Sequence, residues 1–217
     1  MDADPVEIRV LGCLIEKQRT TPDVYPLSLN SLRLACNQST NRDPVVQYDD
    51  PTIRHALDSL SRRGWVRLAS GPGSRAVKFR HLFNEALGLD DGEISLLAVL
   101  MLRGPQTVGE LRQRTERLHR FETTGEVDAV LSALAERELV EQWPRRPGQK
   151  EDRYVQLLGE SAESAPPPAS GAGAGEGEGD RLAELEAAVG KLRDEVAALR
   201  AELRGLGGAG GRMSGAT

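Results

Sequence analysis

The sequence predicts a mainly α-helical protein with small β-hairpin wings, in which two winged-helix domains in tandem precede a C-terminal coiled-coil helix. Three patterns predict this class: three amphipathic helices followed by a hairpin, a second copy of that order, and a heptad repeat near the C-terminus. The predicted segments are winged-helix domains at 1–87 and 88–160, a disordered Pro/Gly/Ala linker at 161–179, a coiled-coil helix at 180–206 and a disordered tail at 207–217.

The helices of the first domain are predicted from apolar spacing and from signals at their ends. The first begins at Pro5, because proline suits the first helical turn and apolar residues recur behind it at helical spacing. The second begins near Ser28, after a segment broken by prolines. The third starts near Asp50 and ends at 62–64, where two arginines and a glycine favour a helix C-terminus.

A hairpin follows the third helix, with strands at 65–69 and 76–80. In its second strand two apolar residues alternate with two cations, which predicts one buried face and one basic face. The apolar pair is Val77 and Phe79, and the cationic pair is Lys78 and Arg80. Three helices and then a hairpin is the order of a winged helix, with the third helix as the DNA-reading helix and the hairpin as the wing.

The same order returns after residue 88. The predicted elements are helices from Glu93, from Thr107 and over 124–138, and wing strands at 139–143 and 153–158. The third helices of the two repeats align at an offset of 127 − 53 = 74, and the first helices at 94 − 8 = 86. The difference, 86 − 74 = 12, predicts extra residues in the first repeat, which we place around the loop 37–48.

The C-terminal heptads predict a coiled coil, because every a and d position is aliphatic over four heptads. Valine at two a positions with leucine at every d position favours two strands. In a parallel dimer Arg181 would face Glu186, and Glu195 would face Arg200, so both pairs attract. The alternative is an amphipathic helix that folds back on the body of the protein. The predicted dimer contacts are Leu182, Leu185, Val189, Leu192, Val196, Leu199, Leu203 and Leu206.

Charge and composition limit the partners. The net charge is +2 over 1–87 (12 Lys/Arg, 10 Asp/Glu), −4 over 88–160 (10 and 14) and −3 over 161–217 (6 and 9). No segment has the excess of cations typical of non-specific nucleic-acid binding, so a DNA contact must rest on local positive charge. Two cysteines make no disulfide framework, and neither a signal peptide nor a membrane-length apolar run is present. We therefore expect a cytoplasmic protein without a membrane contact.

Catalysis finds little support in the sequence. The three histidines and two cysteines lack the spacing of a metal site. Cys13 and Cys36 are expected to be small buried residues, since neither has a histidine nearby in sequence. No glycine-rich segment lies between a strand and a helix, as a phosphate cradle requires. We expect no enzymatic activity, no metal and no cofactor.

Several motifs carry a resemblance to a known family. The longest runs are EKQ at 16–18, TTP at 20–22, YPLSLN at 25–30, ACNQ at 35–38 and TNRDPV at 40–45. Further matches are 71–75 with Lys78, and 102–107 with 109–112. Together these motifs closely resemble the YceH-like family of bacterial proteins over residues 6 to 158. The resemblance implies a pair of winged-helix domains and supplies no activity; the linker and coiled coil fall outside it and look like an addition in this member.

DNA binding is the functional interpretation of a winged helix. In the first domain Arg54 and Arg62 lie opposite the apolar stripe of the third helix, where they can meet phosphates or guanine edges. The alternative is an ordinary solvated face, and Asp58 in the middle of that face favours the alternative. The candidate DNA-contacting residues of this domain are Arg54, His55, Ser59, Arg62, Arg75, Lys78 and Arg80.

The second domain is expected to read DNA poorly, because its third helix exposes acidic side chains that repel phosphate. These residues are Glu126, Asp128 and Glu136, with Ser132 between them. Its wing tip could still hold DNA without sequence preference through Arg145, Arg146 and Lys150. We therefore expect a DNA-associated regulatory homodimer. The alternative is a scaffold whose winged helices bind protein partners.

The loop 37–42, NQSTNR, has the most distinctive sequence in the chain. We expect a structural role, because asparagine, serine and threonine side chains satisfy backbone groups in irregular loops. The alternative is a polar contact surface for a ligand or partner, formed by Asn37, Asn41 and Arg42.

Overall fold

A computed structural model describes residues 2–69, 77–145 and 148–159. The first repeat begins with three helices and ends with a hairpin. Its helices are α1 (Pro5–Thr20), α2 (Leu29–Cys36) and α3 (Asp50–Arg62), and its strands are β1 (Leu27–Ser28), β2 (Val66–Leu68) and β3 (Lys78–His81). A single 3-10 turn, Pro22–Val24, lies between α1 and β1. The third helix begins where the sequence predicts, with Asp49 as its N-cap.

A short helix, α4 (Phe83–Leu87), leads into the second repeat. Its helices are α5 (Asp91–Arg103), α6 (Val108–Thr115) and α7 (Thr124–Glu136), and its strands are β4 (Val140–Trp143) and β5 (Arg153–Gln156). This architecture confirms the mainly helical class with small antiparallel hairpins. The predicted linker, the heptads with their eight dimer residues, and the tail lie outside the described residues.

The first helices of the two repeats are built alike. Each begins with a capping box, in which an aspartate accepts from the backbone N–H of a glutamate three residues later and that glutamate accepts from the aspartate N–H. The glutamates are Glu7 and Glu93, and each pairs with an arginine after the third helix of its own repeat. Arg63 lies 3.7 Å from Glu7, and Arg137 lies 3.0 Å from Glu93. Both arginines therefore join the third helix to the first.

The two sheets share a plan as well. In the first repeat the strand order is β1-β3-β2, with Leu27 opposite Phe79 and Val66 opposite His81. In the second, β4 pairs with β5, and an isolated bridge joins Gln106 to Tyr154. Leu27 and Gln106 each precede the N-cap of the second helix, so the bridge occupies the place of β1.

The extra residues of the first repeat fall in two places, which corrects the prediction of one insertion around 37–48. The second helices start one residue after their N-caps, Ser28 and Thr107, at an offset of 107 − 28 = 79. Seven of the twelve extra residues (86 − 79 = 7) therefore lie between the starts of α1 and α2. Three of them lengthen α1, which has 16 residues against 13 in α5, and four lengthen the loop before α2. The other five (79 − 74 = 5) lie between α2 and α3, where residues 37–49 correspond to the shorter loop 116–123.

The two repeats share one hydrophobic core because α1 packs along α5. Gly12 lies at the closest approach: a Cβ there would meet the side chain of Leu102 at 3.0 Å and the Cβ of Met101 at 3.1 Å. Hydrogen bonds reinforce the contact, since the Asp43 N–H donates to the Leu102 carbonyl at 2.8 Å. The segment before α1 also meets the segment after β5, because Ala3 pairs with Gly159 in a parallel bridge.

The wing departs from its predicted burial. Val66 and His81 are buried at the base of the hairpin, but Leu68 and Val77 are 61% and 54% exposed. Phe79 is only half-buried. The prediction that Val77 and Phe79 form a buried face is therefore wrong at Val77, because this end of the hairpin extends beyond the core.

Within the residues that the structure describes, no helix is long and apolar enough to cross a membrane.

Candidate nucleic-acid interface

The outer face of α3 presents two arginines to solvent. Ile53 and Leu57, on the inner face, are buried in the core. Arg54 and Arg62 are exposed, and no carboxylate of the described residues lies within 4.0 Å of either guanidinium. The structure thus places these predicted residues on one solvent-facing side of one helix. His55 and Asp58 are exposed as well, whereas Ser59 is half-buried.

The start of α3 is held by aspartates that are already engaged. Asp49 caps the helix, since its side chain accepts from the Thr52 N–H at 2.9 Å. Hydrogen bonds from the side chain and backbone of Thr52 hold the pKa of Asp49 below its usual value. Asp50 pairs with Arg33 of α2 at 2.9 Å. One of the two carboxylates at this helix end is therefore neutralised by the preceding helix.

The wing adds cations beside α3. Arg80 is half-buried, and its guanidinium forms an ion pair with Glu85 of α4 at 2.7 Å. This pair partly neutralises the charge of Arg80. Arg67 of β2 lies directly opposite Arg80 in the sheet and is exposed. Lys78 is half-buried, and Arg75 lies outside the described residues.

Arg67 is not among the DNA-contacting residues predicted from the sequence. The feature that could have predicted it is the alternation of strand β2, in which Val66 is buried and Arg67 is exposed. The cross-strand register with Arg80 becomes visible only once the hairpin is folded.

The second repeat presents an acidic surface at the equivalent place. Glu126, Asp128 and Glu136 of α7 are all exposed, as is Ser132. Two cations of its wing tip, Arg145 and Lys150, share a shallow groove with Asp128, Glu151 and Asp152. The Arg145 backbone N–H donates to Asp152 at 2.9 Å, which keeps that carboxylate beside the wing tip. Arg145 and Lys150 are exposed, but carboxylates surround them; Arg146 lies outside the described residues.

The loop after α2 is organised around a buried arginine. The side chain of Arg42 is 0% exposed, and all five of its N–H groups have acceptors. It donates to both carboxylate oxygens of Glu16, at 3.1 and 2.7 Å, and to Gln38 at 2.8 Å. The remaining acceptors are the carbonyls of Ala35 and Asn41.

The electrostatics of this loop follow from that pairing. Burial raises the pKa of Glu16, but the hydrogen bonds and charge of Arg42, with Lys17, bring it below its usual value. A second buried arginine, Arg9, donates to the carbonyls of Cys36 and Pro44. Glu16 and the buried Arg42 thus form an ion pair, in which Glu16 is ionised.

Asn37 closes the same loop, since its side-chain amide exchanges two hydrogen bonds with the backbone of Tyr48, at 2.8 and 2.9 Å. The side chains of Asn37 and Arg42 are therefore committed to structure. Of the proposed polar contact surface, only Asn41 remains exposed, and its side-chain oxygen accepts from Arg103.

The two cysteines are buried side by side as free thiols. Burial raises the pKa of Cys13, but a hydrogen bond with Cys36 and the charge of Arg42 outweigh it, so that pKa lies below its usual value. The same hydrogen bond, with burial, raises the pKa of Cys36. Among the described residues, no three His, Cys, Asp or Glu side chains form a group that could hold a metal ion.

Comparison with known proteins gives the family. Residues 3–149 match the family model described as "Protein of unknown function, DUF480". A UPF0502 protein of Dechloromonas aromatica (strain RCB) is 50% identical over 196 residues, which is 87% of this chain and 91% of the relative. A UPF0502 protein of Geotalea daltonii is 50% identical over 187 residues, which is 83% of this chain and 85% of the relative. A UPF0502 protein of Shewanella sp. (strain ANA-3) is 45% identical over 208 residues, which is 92% of this chain and 95% of the relative.

These alignments extend into the C-terminal segment, because residues 1–160 make up only about 74% of the 217 residues while the Shewanella match spans 92% of the chain. Part of that segment is therefore shared with relatives, contrary to the expectation that it is an addition in this member. The motif resemblance to a bacterial family is confirmed, and the chain belongs to the DUF480 family, whose relatives carry the name UPF0502.

Proposed function

We propose that this protein is a non-enzymatic, DNA-associated regulatory protein of the cytoplasm that binds DNA through its first winged-helix repeat. The observation that carries the proposal is the outer face of α3. Arg54 and Arg62 are exposed there, without an ion pair among the described residues, while the opposite side of the helix is anchored in the core. A rigid helix that presents uncommitted guanidinium groups suits phosphate and guanine contacts in a major groove.

The difference between the two repeats supports the same assignment. The side chains of α7 at the corresponding place are acidic and exposed, so that helix would repel a phosphate backbone. Arg63 and Arg137, which follow the third helices, are not counted as DNA contacts because they form ion pairs with Glu7 and Glu93. DNA contact therefore rests on α3 and the wing residues near it, Arg67, Lys78 and Arg80.

The heptads of residues 182–206 support a homodimer. Two modest DNA-binding surfaces on one dimer would gain affinity through effective concentration. A linker rich in glycine, alanine and proline between them would leave the spacing of two DNA half-sites loose.

A protein-contact role for the second repeat is a second candidate, and the acidic face of α7 favours it. Exposed acidic side chains on a helix suit a basic protein partner better than DNA. In the scaffold alternative both repeats would bind proteins, and α3 would contact an acidic protein surface instead of phosphate.

The test is fluorescence anisotropy of a labelled random-sequence duplex at low salt, with the full-length protein. We expect the Arg54→Ala/Arg62→Ala variant to lose about tenfold or more in affinity, because it removes two cations from the proposed interface. The charge-matched control is Arg112→Ala/Arg120→Ala, in α6 and in the loop after it, which should bind as the wild type does. Equal losses in both variants would mean that net charge, and not α3, determines the binding.

A further inference from the structure

A polar cleft of about 710 Å³ lies where the two repeats meet, far larger than a single bound water needs. It is bordered by the C-terminal parts of α1 and α5, the loop after α2, and the end of α6 with the residues after it. The charged residues of its wall are Glu16, Lys17, Arg103, Arg114, Glu116 and Arg117. Four of these six are cations.

The carboxylate deepest in this wall is already neutralised. Glu16 accepts two hydrogen bonds from the buried Arg42 and lies 3.3 Å from Lys17. Its negative charge is therefore balanced inside the protein and does not offset the other cations of the cleft.

Two of those cations have no acidic partner. Arg103 donates to the side-chain oxygen of Asn41, a neutral acceptor. Among the described residues, no carboxylate lies within 4.0 Å of Arg103 or Arg117. Burial, and then the charges of Arg114 and Arg42, lower the pKa of Arg103 below its usual value. Arg103 thus lies in a positive environment that an anion would relieve.

The amides of the wall leave donors for a ligand, since their oxygens are used. The Gln38 oxygen accepts from Arg42 at 2.8 Å and from Lys17 at 3.3 Å. The Asn41 oxygen accepts from Arg103. In the part of the chain that the structure describes, neither amide nitrogen has a partner, so both NH₂ groups remain available beside the arginines.

The C-termini of α1 and α6 border the cleft, and other groups of the protein satisfy part of the hydrogen-bonding demand of their carbonyls. Near the C-terminus of α1, the carbonyls of Glu16 and Lys17 accept from the hydroxyls of Thr20 and Thr21, at 2.9 and 3.2 Å. The Thr115 carbonyl at the end of α6 accepts from two backbone N–H groups of the following turn, at 2.7 and 2.8 Å. Local caps thus satisfy part of the partial negative charge that helix C-termini carry.

We propose that this cleft binds a small phosphorylated anion. Arg103 and Arg117 would contact its phosphate oxygens, and the amides of Gln38 and Asn41 would donate to the same group. Guanidinium groups match phosphate geometry, and a ligand rich in acceptors fits a wall whose own acceptors are occupied. A ligand held there would touch both repeats at once, and the proposal does not depend on DNA binding by α3.

The test uses inorganic pyrophosphate as the probe, titrated into full-length protein by isothermal calorimetry at constant ionic strength. We expect saturable binding and a rise in melting temperature with pyrophosphate concentration. Arg103→Gln and Arg117→Gln should each weaken binding by about tenfold, the effect of losing one charge-assisted contact. Arg117 is exposed and without an ion pair among the described residues, so that variant tests the site even if Arg103→Gln lowers stability.

The control is Arg120→Gln in the loop after α6, which removes an equal charge at an exposed position outside the cleft and should leave pyrophosphate affinity unchanged. Absence of saturation at millimolar pyrophosphate would overturn the proposal. So would an equal loss of affinity in Arg120→Gln, which would mean that binding follows net charge. A duplex DNA affinity that falls with Arg103→Gln, while pyrophosphate does not bind, would assign these residues to nucleic acid instead.

Discussion

His81 is the most deeply buried histidine of the described chain, at 1% exposure, and it is held in its neutral form. Its Nε2 contacts the Gln18 side-chain oxygen at 2.6 Å, and its backbone N–H donates to the Tyr25 hydroxyl at 2.8 Å. Burial, and then the charges of Arg19 and Arg80, lower the pKa of His81 to about 4. Burial in turn raises the pKa of Tyr25 to about 12. Protonation of this histidine would therefore oppose folding.

We predict that the free energy of unfolding falls as the pH is lowered from about 6.5 to about 4. In that window the unfolded chain binds a proton at residue 81 that the folded chain does not, so acid favours the unfolded state. The contribution of His81 amounts to about 2–3 kcal/mol. Urea denaturation at neutral and acidic pH measures it, and His81→Gln should lose this part of the pH dependence. His55→Gln, which changes an exposed histidine on α3, should keep it; two identical pH profiles for His81→Gln and the wild type would contradict the assignment.

Single residues also show where sequence reasoning ends. Arg42 and Arg54 are both arginines in polar surroundings of the sequence, yet one is fully buried and the other exposed. The difference depends on Glu16 and Gln38, which reach Arg42 only once α1 and α2 have packed. Spacing along one helix could predict the exposed position of Arg54, but no local pattern could predict a buried ion pair between residues 26 apart.

At the level of elements, the contact between α1 and α5 joins the two repeats. Gly12 permits it, because the helices approach more closely than a Cβ allows without movement of Leu102 and Met101. Both of those side chains are buried, at 3% and 5% exposure, so they have little room to move.

We predict that Gly12→Ala lowers the free energy of unfolding by about 1–2 kcal/mol, because overpacking outweighs the gain in helix propensity. The matched control is Gly109→Ala in α6, where the nearest atom to the new Cβ is 4.0 Å away. That variant should be as stable as the wild type or more stable by up to about 0.5 kcal/mol. Urea denaturation compares the two; equal effects of both substitutions would show that the close approach does not matter.

The order of these elements is predictable from the sequence, whereas their small additions are not. The third helices follow strong apolar stripes and align between repeats, so both α3 and α7 could be predicted. β1 has two residues, and the 3-10 turn before it has three, which is too short for any periodicity. The residues that the first repeat adds between the starts of α1 and α2 therefore follow no apolar pattern that distinguishes them from the loop after α2.

At the level of the whole molecule, two copies of one fold carry opposite charge on their third helices. The first repeat exposes arginines on α3, and the second exposes carboxylates on α7. The segment charges of +2 over 1–87 and −4 over 88–160 follow the same division. This difference is the basis of the proposal that the first repeat contacts DNA and the second contacts a protein.

The predicted coiled coil gives a further expectation for the whole molecule. We predict that the full-length protein is a dimer and that Leu192→Lys, which puts a charge at a d position, converts it to a monomer. Light scattering after size-exclusion chromatography measures the mass of both. Ala187→Lys changes an f position on the outer side of the heptad and should remain dimeric. A monomeric wild type would instead favour a helix that folds back on the body.

The most direct test of the central claim is the salt dependence of DNA binding, measured by fluorescence anisotropy for the wild type and for Arg54→Ala/Arg62→Ala. Phosphate contacts release counterions, so the logarithm of the binding constant falls linearly with the logarithm of salt concentration. We predict a steep slope for the wild type and a slope shallower by about 2 for the variant, about one unit for each lost cation. Identical slopes, or no binding at low salt, would contradict DNA recognition by α3.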